Sequence, residues 1–365
     1  MFSKISNILD YCIDILKIPG NDLIIYHNGT CVFREQRGFS DYDSKVKMNG
    51  SERFNLYSAS KIITCTAAMT LWEKGAFKLD DPLHLYMPEF KDMLVTVGEK
   101  EVKAKNEILV KNLFTMSAGF DYNTEAPEIK LANEKTDGKC PTRETVKYLA
   151  QRPLSFEPGA KWQYSLCHDV LAAFVETVSG MRFSEYVKEN VFKAADMKNS
   201  TYMLPNEELG SLMAQYLYKQ DTKTYESIGT KIRQFKLGED YESGGAGCVS
   251  TAEDYIKFLE ALRLGKIVSS ETLDFMSKNH LTEQQTKSYH LAIPTLSDFG
   301  YGLGFFCTAN EGGVKSSFGG TGAGGAAYYV NQNLNYSMFY AQHVFTSPFG
   351  DTWQKIKNHL NEIFA

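Results

Sequence analysis

The chain has 365 residues, of which 43% are hydrophobic and 23% charged, the balance of a folded globular protein of about two domains or one large two-part fold. Thirty-nine Lys and Arg against 44 Asp and Glu give a net charge of −5, which argues against a nucleic-acid or anionic-membrane binder. No apolar run approaches the ~20 residues of a membrane span.

At the N-terminus, Ile5, Ile8, Leu9, Cys12, Ile15 and Leu16 recur at helical spacing, and Pro19-Gly20 stops the helix. Asp10, Asp14 and Lys17 interrupt its apolar residues, unlike a signal peptide, so a cytoplasmic protein is expected. Leu23 to His27 and Thr30 to Arg37 flank Asn28-Gly29, a strong hairpin signal. A helix is predicted through Ile62–Lys74, ending at Gly75, and Asp81-Pro82 reads as the N-cap and first turn of another. Leu171 to Val178 predicts a further helix closed near Gly180. Tyr328 to Val330 and Tyr336 to Gln342 flank the polar stretch Asn331–Asn335 as a second hairpin. Trp353, Ile356, Leu360, Ile363 and Phe364 mark one face of a final helix. These elements predict an α+β fold: an antiparallel sheet flanked by N- and C-terminal helices, with an inserted, mostly helical domain. The expected division is 1–60 with 210–365 for the sheet domain and 61–209 for the helical one.

Seven cysteines (Cys12, Cys31, Cys65, Cys140, Cys167, Cys248 and Cys307) are scattered without a C-x-x-C pair. They read as free thiols in a reducing compartment, not a disulfide framework or zinc site. The histidines show no metal-ligand spacing, and no metal or cofactor is expected.

Ser58-Ala59-Ser60-Lys61 carries the chemistry. Ser and Lys three apart on a helix face the same way. A hydroxyl at a helix start lies among unpaired N–H groups. A buried lysine one turn along can lose its charge by desolvation and accept the serine proton. Ser44 and Lys47 repeat the pattern, but in a charged stretch with no apolar helix behind it, so that copy reads as a solvated loop. Alone, Ser58 and Lys61 would more often be an N-cap and a surface lysine. The pair His168-Asp169 suggests a Ser-His-Asp triad, but adjacent residues do not easily make the ordered chain of hydrogen bonds a triad needs, so structural contacts are expected there. Gly320-Thr321-Gly322-Ala323-Gly324-Gly325 matches G-x-G-x-x-G, yet a strand follows instead of the helix a dinucleotide site requires.

Further blocks set the pair in context: Asn55–Lys61, Leu79-Asp80-Asp81-Pro82, Tyr86–Phe90, Leu113–Gly119, Phe156–Gly159, Tyr164-Ser165, Gly244–Gly247, Val249–Ala252 and Tyr301–Gly304. From about Asn55 to Val330 their ordered set resembles the serine β-lactamase and penicillin-binding-protein superfamily, nearest the class C β-lactamases and their esterase and D-peptidase relatives. The resemblance implies a β-lactamase/transpeptidase-like fold. Ser58 is then the nucleophile, and Tyr164 shares proton transfer with Lys61. The family's Tyr-x-Asn reads Tyr164-Ser165-Leu166 here, so the substrate-binding amide is lost at Leu166. Its Lys-Thr-Gly reads Gly320-Thr321-Gly322, so the cation is lost at Gly320. The N–H groups of Ser58 and Ala323 are the implied oxyanion hole. A lower-ranked register, Lys315-Ser316-Ser317, would keep the cation and lose the glycine.

The leading expectation is a serine hydrolase acting through an acyl-enzyme on a small ester or amide. The alternatives are β-lactamase or D-Ala-D-Ala peptidase activity, and a non-catalytic ligand-binding member of the same fold. The expected partner is a small ester, amide, β-lactam or short peptide, with no nucleic acid and no membrane span. The sequence leaves the oligomeric state open.

Overall fold

Alternating apolar residues build the centre of the molecule. In the strand Gly20–His27, Leu23 and Ile25 face one core and Ile24 the other. Tyr329 and Met338 join the first core, while Tyr328, Val330 and Phe339 join the second. The computed structural model describes residues 1–230, 235–308, 315–350 and 352–365.

Eight strands form one antiparallel sheet in the order Gly300–Tyr301, Phe306–Cys307, Phe318–Thr321, Ala327–Asn331, Tyr336–Ala341, Gly20–His27, Thr30–Asp41 and Val46–Lys47. The first long strand therefore pairs with the last, Leu23 opposite Tyr340, which joins the two ends of the chain. Asn28 and Gly29 form the two-residue turn of the N-terminal hairpin at φ 51° and 77°, the positive angles that a type I′ turn demands.

The N-terminal helix Ser3–Asp14 and the C-terminal helix Thr352–Phe364 cover one face through Ile5, Leu9, Cys12, Trp353, Ile356 and Leu360. The helix Ala252–Arg263 lies on the other face, with Tyr255 against Phe339 and Tyr328. Beyond it stand Lys61–Glu73, buried along nearly its whole length, and Cys167–Ser179. A helix without a solvated face belongs inside a core. That second core runs without a break from Ile24 and Phe54 through Ile62, Val170 and Phe174, so the sheet and the inserted helices share it.

Two sequence expectations are corrected. The first helix ends at Asp14, and Ile15 is 64% exposed, because Lys17 turns the chain at φ 57°. Asp81-Pro82 opens only the 3-10 turn Leu83–Leu85. Pro82 is extended, and the Asp81 carboxylate is spent on the Lys78 N–H and the Tyr86 hydroxyl instead of a helix N-terminus. Backbone bonds from Leu83 to Ile108 and from Val110 to Asp81 hold the segment against its neighbour. All seven cysteines are free. Among the described residues no helix is long and apolar enough to cross a membrane.

Candidate active site

The strand Arg53–Asn55, paired with Val249–Thr251, delivers the chain to an abrupt turn. Tyr57 has φ 48°, a left-handed conformation that costs a bulky residue on the order of 1–3 kcal/mol. Its surroundings over-determine it. The ring is buried against Phe235 and Phe345, and the hydroxyl donates to Gln215 Oε1. The 3-10 turn Tyr57–Ser60 that follows is tied down on every side. Leu56 N–H donates to Cys248 O at 2.9 Å, Cys248 N–H to Ser60 Oγ at 3.0 Å, and the Tyr255 hydroxyl to Ala59 O at 2.8 Å. Ser58 is thus presented, half-buried, on a rigid elbow.

Lys61 opens the long buried helix and is 3% exposed. Its Nζ donates to Ser58 Oγ at 3.2 Å and to Gly245 O at 2.7 Å. Tyr164, 36% exposed, brings its hydroxyl into hydrogen-bond contact with Ser58 Oγ. The Lys61 Nζ lies 4.7 Å from the Tyr164 ring centroid, and that ring stacks on Tyr122 at 5.4 Å. Three side chains separated by up to 106 residues therefore converge on one oxygen.

The strand Phe318–Thr321 runs beside this turn. A Cβ at Gly322 would lie 2.2 Å from Leu56 O, so only glycine permits the approach. Neither the Ser58 N–H nor the Ala323 N–H finds a backbone partner among the described residues. Gly320 faces Tyr328 across the sheet, and a Cβ there would meet the Tyr328 ring and hydroxyl at 2.6 Å. A phenol fills the space a lysine side chain would need to enter. Thr321 is exposed, whereas Leu166 is 4% exposed, packs in the core and offers a bound molecule almost no surface.

The competing readings separate clearly. Lys315 precedes the strand and pairs with Asp274 at 3.3 Å, whereas the strand through Gly320 leads to Gly322 against the Leu56 carbonyl, two residues before Ser58. Ser44 donates its N–H and its hydroxyl to the Asp41 carboxylate in an exposed turn. Gly320–Gly325 leads into the strand Ala327–Asn331, as a dinucleotide loop would not. His168 is buried, its Nε2 3.3 Å from Phe114 O, and burial lowers its pKa to about 3, so it stays neutral and makes no bond to Ser58.

Sequence reasoning expected only structural contacts of Asp169, named Gly245 only within the Gly244–Gly247 block, and passed over Tyr122. Asp169 is 1% exposed and accepts from Ser243 Oγ at 2.6 Å and Tyr241 OH at 3.0 Å. Burial raises its pKa, opposed by the Ser243 hydroxyl and the Lys61 charge. Tyr122 is pushed well above the usual phenol range by burial and by Asp169. A Cβ on Gly245 would lie 2.6 Å from Asp169 Oδ2, 3.4 Å from Lys61 Nζ and 3.5 Å from Tyr122 OH. The available signal was Asp169's place in the first turn of the helix that follows Tyr164.

A sheet with this helical flank and this Ser-x-x-Lys turn defines the β-lactamase and penicillin-binding class of fold. The family model described as Beta-lactamase matches residues 7–360, and the chain belongs to that family. It is 25% identical to esterase EstB of Burkholderia gladioli over 74% of this chain and 72% of the esterase. Among solved structures, EstCE1, described as a hydrolase with promiscuous acyltransferase activity, superposes with a TM-score of 0.80 at 22% identity, covering 98% of this chain and 97% of EstCE1. A D-stereospecific amidohydrolase from Streptomyces sp. gives 0.69 at 18% identity, over 96% and 97%.

Proposed function

We propose that this protein is a serine hydrolase that forms and then hydrolyses an acyl-enzyme on a small ester or amide. The observation that carries the reading is Ser58 Oγ held between Lys61 Nζ and the Tyr164 hydroxyl, all on a braced elbow. Ser58 Oγ attacks the substrate carbonyl while its proton passes to the Lys61–Tyr164 pair. The tetrahedral oxyanion is received by the N–H groups of Ser58 and Ala323. Removing one such donor typically costs about 10²–10³ in rate. The same pair returns the proton to the departing alcohol or amine, and a water then repeats the sequence on the acyl-enzyme.

Small esters are favoured over β-lactams and D-Ala-D-Ala peptides. A carboxylate on the substrate would call for a cation where Tyr328 closes off Gly320, and a side-chain amide would call for a partner where Leu166 is buried. The ring of Tyr164 beside Ser58, with Tyr122 stacked on it, suits an apolar acyl or alcohol group. Relatives that carry the titles of esterase and hydrolase agree with this choice.

The test has two arms. A fluorophosphonate probe should add once to the wild-type chain and not to Ser58→Ala, as read by intact mass. Short-chain p-nitrophenyl esters should exceed nitrocefin in kcat/KM. An unlabelled wild type would instead indicate a ligand-binding member of the fold, and a preference for nitrocefin would refute the ester assignment.

A further inference from the structure

We propose that Asp169 is the buried counter-charge of Lys61, positioning its ammonium between Ser58 and Gly245 and setting the pH at which Ser58 becomes reactive. This inference rests on the acyl-enzyme reading and adds to it a positioning residue that the Ser-x-x-Lys and Tyr motifs do not contain.

The argument begins with Gly245. Three polar groups from three segments meet where its side chain would stand: Asp169 Oδ2, Lys61 Nζ and Tyr122 OH. Their distances to that point place the carboxylate oxygen within about 6 Å of the ammonium, the range in which an opposite charge governs protonation. Gly245 also accepts a hydrogen bond from Lys61 through its carbonyl. One residue thus supplies both an acceptor for the ammonium and the opening through which the carboxylate reaches it.

Asp169 is furnished as an anion on one side only. Oδ1 receives two hydroxyl donors, Ser243 and Tyr241. Oδ2 closes no hydrogen bond among the described residues, although the Gly245 N–H lies near enough to favour its charge. A fully buried carboxylate oxygen with no partner is costly unless a nearby charge balances it. Lys61 Nζ is the cation that faces it.

The other titratable groups around the pair are neutral. On the helix of Asp169, His168 is held unprotonated by burial and Cys167 is held as a thiol. On the helix of Lys61, burial likewise raises Cys65. Tyr122, Tyr202 and Tyr241 approach from other elements as phenols raised by burial and by Asp169 itself. Tyr164 faces the ammonium from the cleft side. A change of charge at position 169 should therefore be felt by the Lys61–Tyr164 pair with little compensation.

The sign is the same whichever member takes the serine proton. A nearby negative charge raises the proton affinity of an amine and of a phenolate alike, and removing it lowers both. Asp169→Asn keeps the shape and an acceptor for Ser243 and Tyr241 while deleting the charge. The acidic limb of kcat/KM against pH should move down by about one pH unit. A position on that limb would then give a rate about tenfold closer to the variant's own plateau, and the plateau itself should fall as Lys61 loses its alignment. Tyr241→Phe leaves Asp169 in place but removes one donor that keeps it ionised, so the limb should move in the same direction by less.

The experiment measures pH profiles for p-nitrophenyl ester hydrolysis by the wild type and both variants, with circular dichroism confirming the fold. Tyr241→Phe carries the test if Asp169→Asn does not fold. A folded variant whose limb stays in place, or moves upward, overturns the role given to Asp169. Fluorophosphonate labelling of the wild type is run alongside. Labelling with an unmoved limb refutes the counter-charge alone, whereas absence of labelling removes the acyl-enzyme reading and this inference together.

Discussion

Replacing Tyr164 by Phe deletes one oxygen and keeps the ring, and so isolates the proton-transfer role. The stack on Tyr122 at 5.4 Å and the contact with Trp162 at 6.2 Å need no hydroxyl, so the fold should be retained. The hydroxyl's hydrogen bond is with Ser58, at a side chain 36% exposed, and its loss should cost stability at most about 1 kcal/mol. The effect on rate should be far larger. A positioned acid–base group contributes about 10²–10⁴ to a rate, equivalent to about 3–5 kcal/mol of barrier. Initial rates on a short-chain p-nitrophenyl ester should therefore fall at least a hundredfold in kcat, with KM changed much less and the urea midpoint nearly unmoved. A Tyr164→Phe enzyme within about threefold of wild-type kcat would refute the assignment, because Lys61 alone would then suffice as the base.

Other substitutions probe the frame around the site. Gly320→Lys, which restores the cation of the Lys-Thr-Gly pattern, should not create β-lactam turnover. Its Cβ would press on the Tyr328 ring, and overpacking of this kind destabilises by about 1–3 kcal/mol, readable as a lower urea midpoint. Gly322→Ala should depress kcat more than KM on the same ester, since its Cβ would force the end of the strand Phe318–Thr321 away from Leu56 O and, with it, the proposed Ala323 N–H donor; unchanged kcat would contradict the proposed oxyanion role. His343 is fully buried, within hydrogen-bond distance of Met213 O at 2.8 Å, and accepts from the Asn55 N–H at 3.2 Å. Burial lowers its pKa from 6.5 to about 4. Its folded pKa lies below its unfolded value, so the unfolded chain binds the extra proton, and the stability His343 contributes is complete above pH 6.5 and lost as pH falls towards 4. The stability advantage of wild type over His343→Gln should accordingly shrink by about 2 kcal/mol between pH 7 and pH 5 in urea titrations. A constant difference across that range would show that His343 takes up its proton as readily in the native state as in the unfolded chain.

The parts of this fold legible in sequence are those fixed by neighbours along the chain. Asn28-Gly29 announced its hairpin because a type I′ turn accepts few other residues. Gly180 closed its helix at φ 70°, as the αL cap requires. Asp81-Pro82 misled because the same residues serve equally well as a turn, and the choice was made by backbone bonds to residues 108–111. Ser58 and Lys61 are local and could be read directly. Tyr164 needed the resemblance to a family, since nothing in the chain says that it returns to Ser58. Asp169 enters the sequence reading only as half of an adjacent His-Asp pair, for which structural contacts are expected, and His168 does bond elsewhere, to Phe114 O. The meeting of Asp169, Tyr122 and Lys61 over Gly245 is a property of three separate segments, and periodicity has no access to it.

The central claim is that the hydroxyl of Ser58 takes up the acyl group, and rapid quenching tests it most directly. Enzyme mixed with excess p-nitrophenyl acetate and quenched in acid within the first turnover should carry about one acetyl group per chain. Peptide mapping should place it on Ser58, and both Ser58→Ala and Lys61→Met should lack it. Hydrolysis that proceeds in the wild type with no acyl group on Ser58, or an acyl group that persists in Ser58→Ala, would contradict the account.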